Sequence, residues 1–328
     1  MTTTPSSPRR SPWRKIILGA LALGVLAVFT AVGLAWWTES KIERIPDDEI
    51  SSLVEVDGPR NILIVGTDSR EDLPEDFEGN FGNFEGTRTD VIMLVHFIPG
   101  ERAQILSLPR DLRVDIPGEG FNKINAAHAL GGPDLLIQTV VENLEVDVNN
   151  YVEIDFAGFA NIVDALGGVE LEFNRPARDL KSGLEITQTG AQQLNGAQAL
   201  AFARSRQYEE LRDGDWVKIG DNDIARTRRQ QKVLLALFDQ ATAANNALNL
   251  PNFAATVAEQ IMADESLSIG VLIELGRAAI SLESSDLEAM TLPSRIETID
   301  DVSYVVRVDP ETDEVLRAFR IGRPFPAS

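Results

Sequence analysis

The chain has 328 residues, of which 44% are hydrophobic, and a formal net charge of −21. A chain of this size can bury one large core or two ordinary ones, but its acidity argues against a general nucleic-acid binder, because phosphate backbones require a basic surface. It contains no cysteine and only two histidines, His96 and His128. Disulfides, thiolate zinc sites and cysteine nucleophiles are therefore excluded. A hydrolase with a histidine base is disfavoured, because both histidines lie inside predicted regular elements and are expected to be packed or surface residues.

The N-terminal segment predicts a membrane anchor. Residues 1–15 are polar and basic and form a predicted cytoplasmic tail, and Ile16–Trp37 then runs for 22 residues without a charge. As a transmembrane helix rising ~1.5 Å per residue, this run spans a hydrocarbon core of ~30 Å. Basic residues precede it and acidic ones follow it, which places the N-terminus in the cytoplasm. A cleaved signal peptide is the alternative, although the run is longer than a typical signal-peptide apolar segment. Residues 38–57 are predicted as a polar connector, and residues 58–328 as an extracytoplasmic domain.

Three short apolar runs at the start of this domain, 61–66, 91–98 and 103–108, predict neighbouring strands. They are apolar and rich in β-branched residues, which is typical of central strands covered on both faces. Charged residues stand at the ends of the runs: Asp68 and Arg70, Arg88 and Asp90, and Arg110 and Asp111. Paired carboxylates suit Mg²⁺ when phosphates and waters complete its octahedron, and arginine binds phosphate oxygens in bidentate fashion. The pattern indicates a metal-plus-phosphate site, although the same residues could merely cap a sheet in solvent.

Helix and strand signals alternate after these runs. The acidic, glycine-containing segment 71–86 is predicted to be a mobile loop. The remaining pattern predicts helices over 123–130, 133–144 and 157–166 and strands over 151–156 and 169–173. This alternation predicts the α/β class, with a single α/β sandwich domain whose central mixed sheet is covered by helices on both faces.

Two later segments bring arginines to the ends of helices. A predicted helix N-capped by Asn195 ends at Arg204, and Arg206 follows, so the two side chains point the same way only if this end is extended. After a second acidic loop, 207–222, Asp223 is predicted to N-cap another helix. Three polar residues fall on one face of that helix: Arg226, Arg229 and Gln230. The helix macrodipole disfavours surface arginines near a helix start, so this face predicts an anionic partner or acidic neighbours.

The motifs occur in a characteristic order along the chain. After the apolar N-terminal run they are Gly66-Thr67-Asp68-Ser69-Arg70, Arg88-Thr89-Asp90, Ser107-Leu108-Pro109-Arg110-Asp111, Lys123-Ile124-Asn125-Ala126-Ala127, Val163 to Glu170, Leu194-Asn195-Gly196, Ala203 to Arg206, and Asp223 to Gln231. In this order and spacing they resemble the LytR–CpsA–Psr family of cell-envelope proteins. The resemblance is close over residues 58–245 and looser beyond. The acidic loops 71–86 and 207–222 depart from it, which bears on the preferred acceptor.

The resemblance implies a membrane-anchored phosphotransferase. Members of the family are thought to move a glycopolymer, such as teichoic acid or capsule, from a polyprenyl phosphate or pyrophosphate carrier onto peptidoglycan, assisted by Mg²⁺ (Mn²⁺ being possible). At the matching positions Asp68 and Asp90 would hold the metal and, with Arg88 and Arg110, form the catalytic set. The pyrophosphate would be bound by Arg88, Arg110, Arg204, Arg206, Asp223, Arg226 and Gln230. An apolar tunnel between sheet and helices would hold the lipid.

Two alternative hypotheses use the same pocket. One is a non-catalytic binder or regulator of polyprenyl-linked lipids, and the other is a polyprenyl pyrophosphatase whose acceptor is water. A dinucleotide-binding domain is a weaker alternative, since Gly66-Thr67-Asp68 lacks the glycine spacing of the phosphate-binding turn. Metal-dependent turnover and the nature of the product distinguish these hypotheses.

Overall fold

A mixed sheet of seven strands forms the centre of the domain, in the order β1-β14-β7-β2-β3-β4-β15. These strands are β1 (Glu43–Ile45), β2 (Arg60–Thr67), β3 (Thr89–Ile98), β4 (Arg102–Ser107), β7 (Asn150–Ile154), β14 (Met262–Asp264) and β15 (Leu287–Thr291). Strand β3 lies antiparallel between β2 and β4, whereas β7 and β15 run parallel to β2 and β4. The three apolar runs therefore form the middle of the sheet, as predicted.

The structure is a computed structural model that describes residues 42–56, 58–68, 89–220, 223–242, 250–282 and 286–326. Several sequence predictions lie outside these ranges: the tail 1–15, the transmembrane helix Ile16–Trp37, Arg70, the loop 71–86 and Arg88. Within the ranges given, no helix combines the length and apolar character needed to cross a bilayer.

Helices cover both faces of the sheet. They are α1 (Ile124–Leu144), α2 (Phe156–Ala165), α3 (Gly196–Arg204), α4 (Asp223–Thr242), α5 (Leu250–Ala258), α6 (Ile269–Ile280) and α7 (Glu311–Arg320). Because side chains alternate along a strand, β2 directs Leu63 and Val65 into one core with α1 and α7, and Ile62 into a second core with α5 and α6. The layered α/β class is confirmed. The predicted break in α1 is also confirmed, since Gly131 and Gly132 are non-helical.

Smaller sheets flank the central one. Strands β5 (Arg113–Ile116) and β6 (Gly120–Lys123) form a hairpin, as do β16 (Ser294–Ile299) and β17 (Val302–Arg307). Strand β8 (Val169–Phe173) pairs with β11 (Gly190–Leu194). A four-stranded sheet has the order β10 (Leu184–Ile186), β9 (Ala177–Asp179), β12 (Glu209–Arg212) and β13 (Asp215–Lys218). The run 169–173 is thus a strand, but one that lies outside the main sheet.

The segment 207–222, predicted as an acidic loop, is largely a β-hairpin. Strands β12 and β13 are joined at Asp213-Gly214, where both φ angles are positive, at 52° and 94°. An Asp-Gly pair is a strong signal for a two-residue hairpin turn, because its backbone twist matches that of the strands. The prediction of a loop was wrong because it followed the acidic composition of the segment and not the Asp213-Gly214 turn.

Part of the predicted polar connector belongs to the sheet. Glu43–Ile45 forms the edge strand β1 and pairs with β14. Ile45 and Ile50 are 3% and 5% exposed and pack into the main core. A charged three-residue strand has too little periodicity to be recognised in the sequence.

Candidate active site at the ends of the central strands

Asp90 stands on a β-bulge at the end of the sheet. Gly66 of β2 pairs with Val91, but the next residue, Thr67, pairs with Thr89, so Asp90 is an extra residue in β3. A Cβ atom on Gly66 would lie 2.9 Å from the Cβ of Val91, so that only glycine fits against this irregular register. Bulges reorient side chains and are frequent beside functional sites.

Three guanidinium groups converge on one carboxylate oxygen of Asp90. The Oδ1 atom lies 2.5 Å from Nη1 of Arg110, 3.4 Å from Nη2 of Arg206 and 3.9 Å from Nη1 of Arg226. These three residues, called the arginine cluster below, come from the segment after β4, the segment after α3 and the first turn of α4. Arg110 also lies 3.9 Å from a carboxylate oxygen of Asp111. Three guanidinium groups gathered around Asp90 concentrate positive charge at one point of an acidic protein, which favours the binding of an anion.

The arginine cluster keeps Asp90 ionised. Burial would raise the pKa of Asp90, but the charges of Arg226, Arg110 and Arg206 and the hydrogen bond from Arg110 outweigh it and hold that pKa below its ordinary value. Asp90 is therefore a permanent anion near neutrality. A carboxylate this acidic suits charge balance or metal binding better than accepting a proton as a general base.

An apolar cavity opens onto this site. It encloses about 120 Å³ between β2, β3 and helices α2, α3 and α4. Its charged lining residues are Asp90, Asp155, Arg204 and Arg226, and most of its other walls are apolar, among them Ile64, Val91, Met93, Phe156, Phe159, Leu200, Val233 and Leu234. Gln230 also lines it. The resemblance implied a pyrophosphate site with Arg204, Arg226 and Gln230 and a metal at Asp90, and all four residues line this one cavity.

Arg204 and Arg206 project toward the same region although they are two residues apart. Ser205 between them has φ −56° and ψ 125°, so the end of α3 is extended, which is the condition under which their side chains point the same way. The Arg204 guanidinium lies 4.5 Å from the ring centre of Phe156, and Arg206 reaches Asp90. Asn195 caps the helix as predicted and forms a capping box with Gln198.

Arg229 has a structural role rather than a surface position. Arg226 and Arg229 were predicted as surface arginines, but they are only 2% and 9% exposed. Arg229 donates to the backbone oxygen of Ser205 and stacks 5.2 Å from the ring centre of Tyr208. The residues of this helix face therefore have two roles. Arg226 and Gln230 line the cavity, and Arg229 fixes the segment that carries Arg206.

Comparison with known proteins identifies the family. The profile of the LytR_cpsA_psr family matches residues 35–320. The chain belongs to the LytR_cpsA_psr family. It is 39% identical over 236 residues to a "Probable cell wall biosynthesis protein LcpB" of Corynebacterium glutamicum, covering 71% of this chain and 53% of that protein. The chain therefore spans about half the length of this relative.

Two further LytR_cpsA_psr proteins are similar over most of the chain. The "Polyisoprenyl-teichoic acid--peptidoglycan teichoic acid transferase TagT" of Bacillus subtilis is 31% identical over 245 residues, which is 70% of this chain and 70% of that protein. A solved structure, the "LytR-Csp2A-Psr enzyme from Actinomyces oris", is 29% identical, with a TM-score of 0.65 over 82% of this chain and 95% of that one. These similarities agree with the resemblance drawn from the motifs.

The metal predicted between Asp68 and Asp90 fits this site only together with an anionic ligand. Asp68 follows β2 directly, at the sheet edge where Thr67 pairs with Thr89. Among the residues that the structure describes, no cluster of three or more acidic or histidine side chains offers a complete metal cage. Asp90 already faces three guanidinium groups, so a divalent cation beside it needs phosphate oxygens to offset the positive charge. Arg88 and the side chain of Asp223 lie outside the described residues.

Both histidines are packed, as expected from the sequence. His96 in β3 lies 2.7 Å, Nδ1 to Oδ1, from Asn61, and burial lowers the pKa of this imidazole. His128 in α1 lies 3.1 Å from Glu153, which also accepts a hydrogen bond from Tyr151. Neither contacts the arginine cluster, so neither is a candidate base for chemistry there.

Asp179 is a site residue that sequence reasoning missed. It is 1% exposed, and its Oδ2 atom accepts hydrogen bonds from the Ser205 hydroxyl at 2.6 Å and from the backbone amides of Arg206 and Gln207 at 2.9 and 2.7 Å. Burial would raise its pKa, but the Ser205 and Gln207 hydrogen bonds outweigh it and lower that pKa. Asp179 therefore holds the backbone that presents Arg206. The only signal in the sequence is the short Ala-Arg-Asp segment that forms β9, and it does not show that the Asp179 side chain is buried.

Replacing Asp179 by asparagine is expected to lower the free energy of unfolding by about 3 kcal/mol, because an NH2 donor would replace one of two accepting oxygens and leave buried backbone amides without an acceptor. Since the pKa of Asp179 is lowered, its stabilising contribution is fully present above the unfolded-state value of about 3.9 and is lost as pH falls through the folded-state pKa. Urea denaturation at pH 7 and at roughly pH 2.5, below the unfolded-state value, should show a smaller acid-induced loss of stability in Asp179→Asn than in wild type. The exposed Asp115→Asn is the control, and equal stability of all three proteins would contradict this role.

Proposed function

We propose that this protein is a membrane-anchored phosphotransferase that moves a glycopolymer from a polyprenyl phosphate or pyrophosphate carrier onto peptidoglycan, forming a phosphodiester bond. The observation that carries the proposal is the junction of the apolar cavity with the arginine cluster. An amphiphile with an isoprenoid tail and an anionic head matches both parts at once. The name of the Bacillus subtilis relative, a polyisoprenyl-teichoic acid–peptidoglycan transferase, supports the same substrate classes.

The apolar cavity must widen to hold a long lipid. Its volume of about 120 Å³ is well below the ~300–1,000 Å³ of typical ligand pockets. The cavity is bounded by the sheet on one side and by α2, α3 and α4 on the other, so binding would move helices rather than strands. In this proposal the carrier enters by separating those helices from Ile64 and Met93.

The reaction requires charge stabilisation more than a proton acceptor. The hydroxyl oxygen of the acceptor forms a bond to the phosphorus that carries the glycopolymer, while the bond from that phosphorus to the carrier oxygen breaks. A pyrophosphate carrier leaves as polyprenyl phosphate, which keeps the former bridging oxygen, and the hydroxyl proton passes to solvent. A phosphate carrier leaves as polyprenol, which takes up that proton. Arg110, Arg206 and Arg226 would bind the non-bridging oxygens, where fixed positive charge in a water-poor site lowers the barrier.

Mg²⁺, or Mn²⁺ in its place, is proposed as the cofactor. Asp68 and Asp90 would hold it, and when bound it would neutralise phosphate charge that the arginines do not reach. The gathering of three guanidinium groups around one proposed metal ligand, Asp90, supports a site that binds metal and phosphate together. Mg²⁺ alone should therefore have little effect on thermal stability, and Mg²⁺ with a phosphorylated ligand should have a larger one.

One experiment separates the proposed function from its alternatives. The purified full chain in detergent is incubated with Mg²⁺, a short polyprenyl-pyrophosphoryl glycan and peptidoglycan fragments, and the products are identified by mass spectrometry. A glycan linked to peptidoglycan through phosphate supports the transferase. Free glycan phosphate with no transfer would favour a pyrophosphatase, and tight binding without turnover would favour the regulator.

The anchor and the extracytoplasmic location belong to the same proposal. The charge-free run Ile16–Trp37 with its basic N-terminal flank supports a single-pass protein whose N-terminus is cytoplasmic. Reporter fusions at about residue 50 should be active only with an extracytoplasmic reporter. Isolation of a mature protein that starts after the apolar run would show that the segment is cleaved rather than retained.

A further inference from the structure

A second concave surface lies on the four-stranded sheet, away from the apolar cavity. It is a groove of about 450 Å³, called the Trp216 groove below, lined by residues that include Arg178, Leu180, Leu184, Glu185, Thr187 and Trp216. Strands β9, β10 and the hairpin β12–β13 form its walls. Unlike the apolar cavity, it mixes an indole and aliphatic groups with charged and hydroxyl side chains.

Trp216 is held at the surface by its neighbours. It is 36% exposed, and the Arg178 guanidinium lies 4.2 Å from its ring centre. Arg178 is fixed in turn by a hydrogen bond of 2.7 Å from its Nε atom to Glu209. Leu180 in the same groove is 73% exposed. An ordered, partly exposed tryptophan beside an exposed leucine adds little to folding, and such patches commonly mark binding surfaces.

The chemistry of the groove suits an uncharged saccharide. The apolar C–H face of a pyranose ring stacks on an indole, while Glu185, Thr187 and Arg178 can exchange hydrogen bonds with hydroxyl and amide groups around the ring. A polyanion is disfavoured by Glu185 and by Glu209, which already neutralises Arg178. A lipid tail fits the apolar cavity better than this groove, because the groove is lined by charged and hydroxyl side chains.

The Trp216 groove is joined to the arginine cluster through one strand. Arg178 of β9 lines the groove, and the next residue, Asp179, binds the backbone of Arg206. On the other side, β12 begins at Glu209, three residues after Arg206, and Glu209 pairs with Arg178. Three residues span at most about 10 Å, so a ligand a few sugar rings long could reach from the groove to the arginine cluster.

We propose that the Trp216 groove binds the glycan of the acceptor and presents its hydroxyl to the phosphate held by the arginine cluster. This inference rests on the proposed function, since it names the site of the second substrate. Peptidoglycan is built on a β-1,4-linked chain of N-acetylated hexosamines, whose rings are uncharged at the positions that would stack on Trp216. The acidic hairpin thus becomes part of acceptor recognition.

The binding test uses the tetrasaccharide of β-1,4-linked N-acetylglucosamine as the probe, titrated calorimetrically into the full chain in detergent. Trp216→Ala should weaken binding at least tenfold, and Trp216→Phe, which keeps an aromatic face, should stay within threefold of wild type. Phe121→Ala is a matched control, because Phe121 is also an exposed aromatic on a hairpin, 61% exposed, with the Arg113 guanidinium 4.1 Å from its ring. No binding by wild type at millimolar probe, or a loss in Phe121→Ala but not in Trp216→Ala, would overturn the inference.

A kinetic test separates this inference from the proposed function. Relative to wild type, Trp216→Ala should raise the KM for the acceptor at least tenfold, and the rate at which the carrier is hydrolysed in the absence of acceptor should stay unchanged. An unchanged acceptor KM would refute the groove and leave the transferase intact. If wild type performed no transfer at all, the proposed function would fall, and the calorimetric result alone would decide whether the groove binds saccharide.

Discussion

Asp90→Asn is expected to remain folded and to lose Mg²⁺-dependent turnover by a factor of at least about 100, the scale of losing one preorganised electrostatic partner in a transition state. The amide keeps the size of the side chain but removes the negative charge that Arg110, Arg206 and Arg226 share. It also removes a proposed metal ligand. Asp68→Asn should reduce the Mg²⁺ dependence in the same way. A wild-type rate in Asp90→Asn would show that metal at this position is not catalytic, and would favour the lipid-binding hypothesis.

The same variant should respond in opposite directions to metal and to phosphate. Without the carboxylate, three guanidinium groups repel one another, so Asp90→Asn should melt at a lower temperature than wild type and regain more stability from inorganic phosphate. Its gain from Mg²⁺ with a phosphorylated ligand should be smaller than that of wild type. The matched control is Asp313→Asn, which removes an exposed carboxylate 2.6 Å from Arg307. If phosphate stabilised all three proteins equally, the arginine cluster would not be the anion site.

Local signals were sufficient to predict the middle of the sheet and the broad location of the site. Strands β2, β3 and β4 are continuous apolar runs, and residues at the ends of neighbouring strands must lie together, which brings Arg110 to Asp90. The helical spacing of Arg226 and Gln230 likewise predicted that both fall on one face of their helix, and both line the apolar cavity. These inferences hold because they depend only on the periodicity of an element and on the order of its neighbours.

Features that depend on distant partners could not be predicted. The bulge at Asp90 is a register shift between two strands, and neither strand alone encodes it. Asp179 acts through hydrogen bonds to a segment 26 to 28 residues later in the chain, so nothing in its own neighbourhood distinguishes it from a surface acid. A charged residue on a helix is usually solvated, so the sequence predicted Arg229 at the surface. In the structure its guanidinium instead donates to the backbone oxygen of Ser205 and packs over the ring of Tyr208.

Arg226→Met is expected to separate stability from function. Arg226 is 2% exposed and lies at the charged end of the apolar cavity, so it should contact the phosphate from the side of the lipid. Its loss should reduce turnover by about 100- to 1,000-fold, as when one fixed electrostatic donor is removed from a catalytic site. The turnover of Arg226→Lys should lie between those of wild type and Arg226→Met, because lysine keeps the charge but lacks the planar fork that binds two phosphate oxygens.

The stability of Arg226→Met should not fall in parallel. Asp90 keeps Arg110 and Arg206 as partners when Arg226 is removed, so the free energy of unfolding of the variant is expected to stay within about 1 kcal/mol of wild type, short of the ~3–5 kcal/mol lost when a buried charge is left unpaired. Arg228→Met on the exposed face of the same helix is the control and should change neither property. Chemical denaturation and carrier turnover, measured on the same preparations, provide both readouts. Loss of stability and of activity together would mean that Arg226 serves the fold, whereas a stable, inactive protein would show that its buried charge is retained for the phosphate.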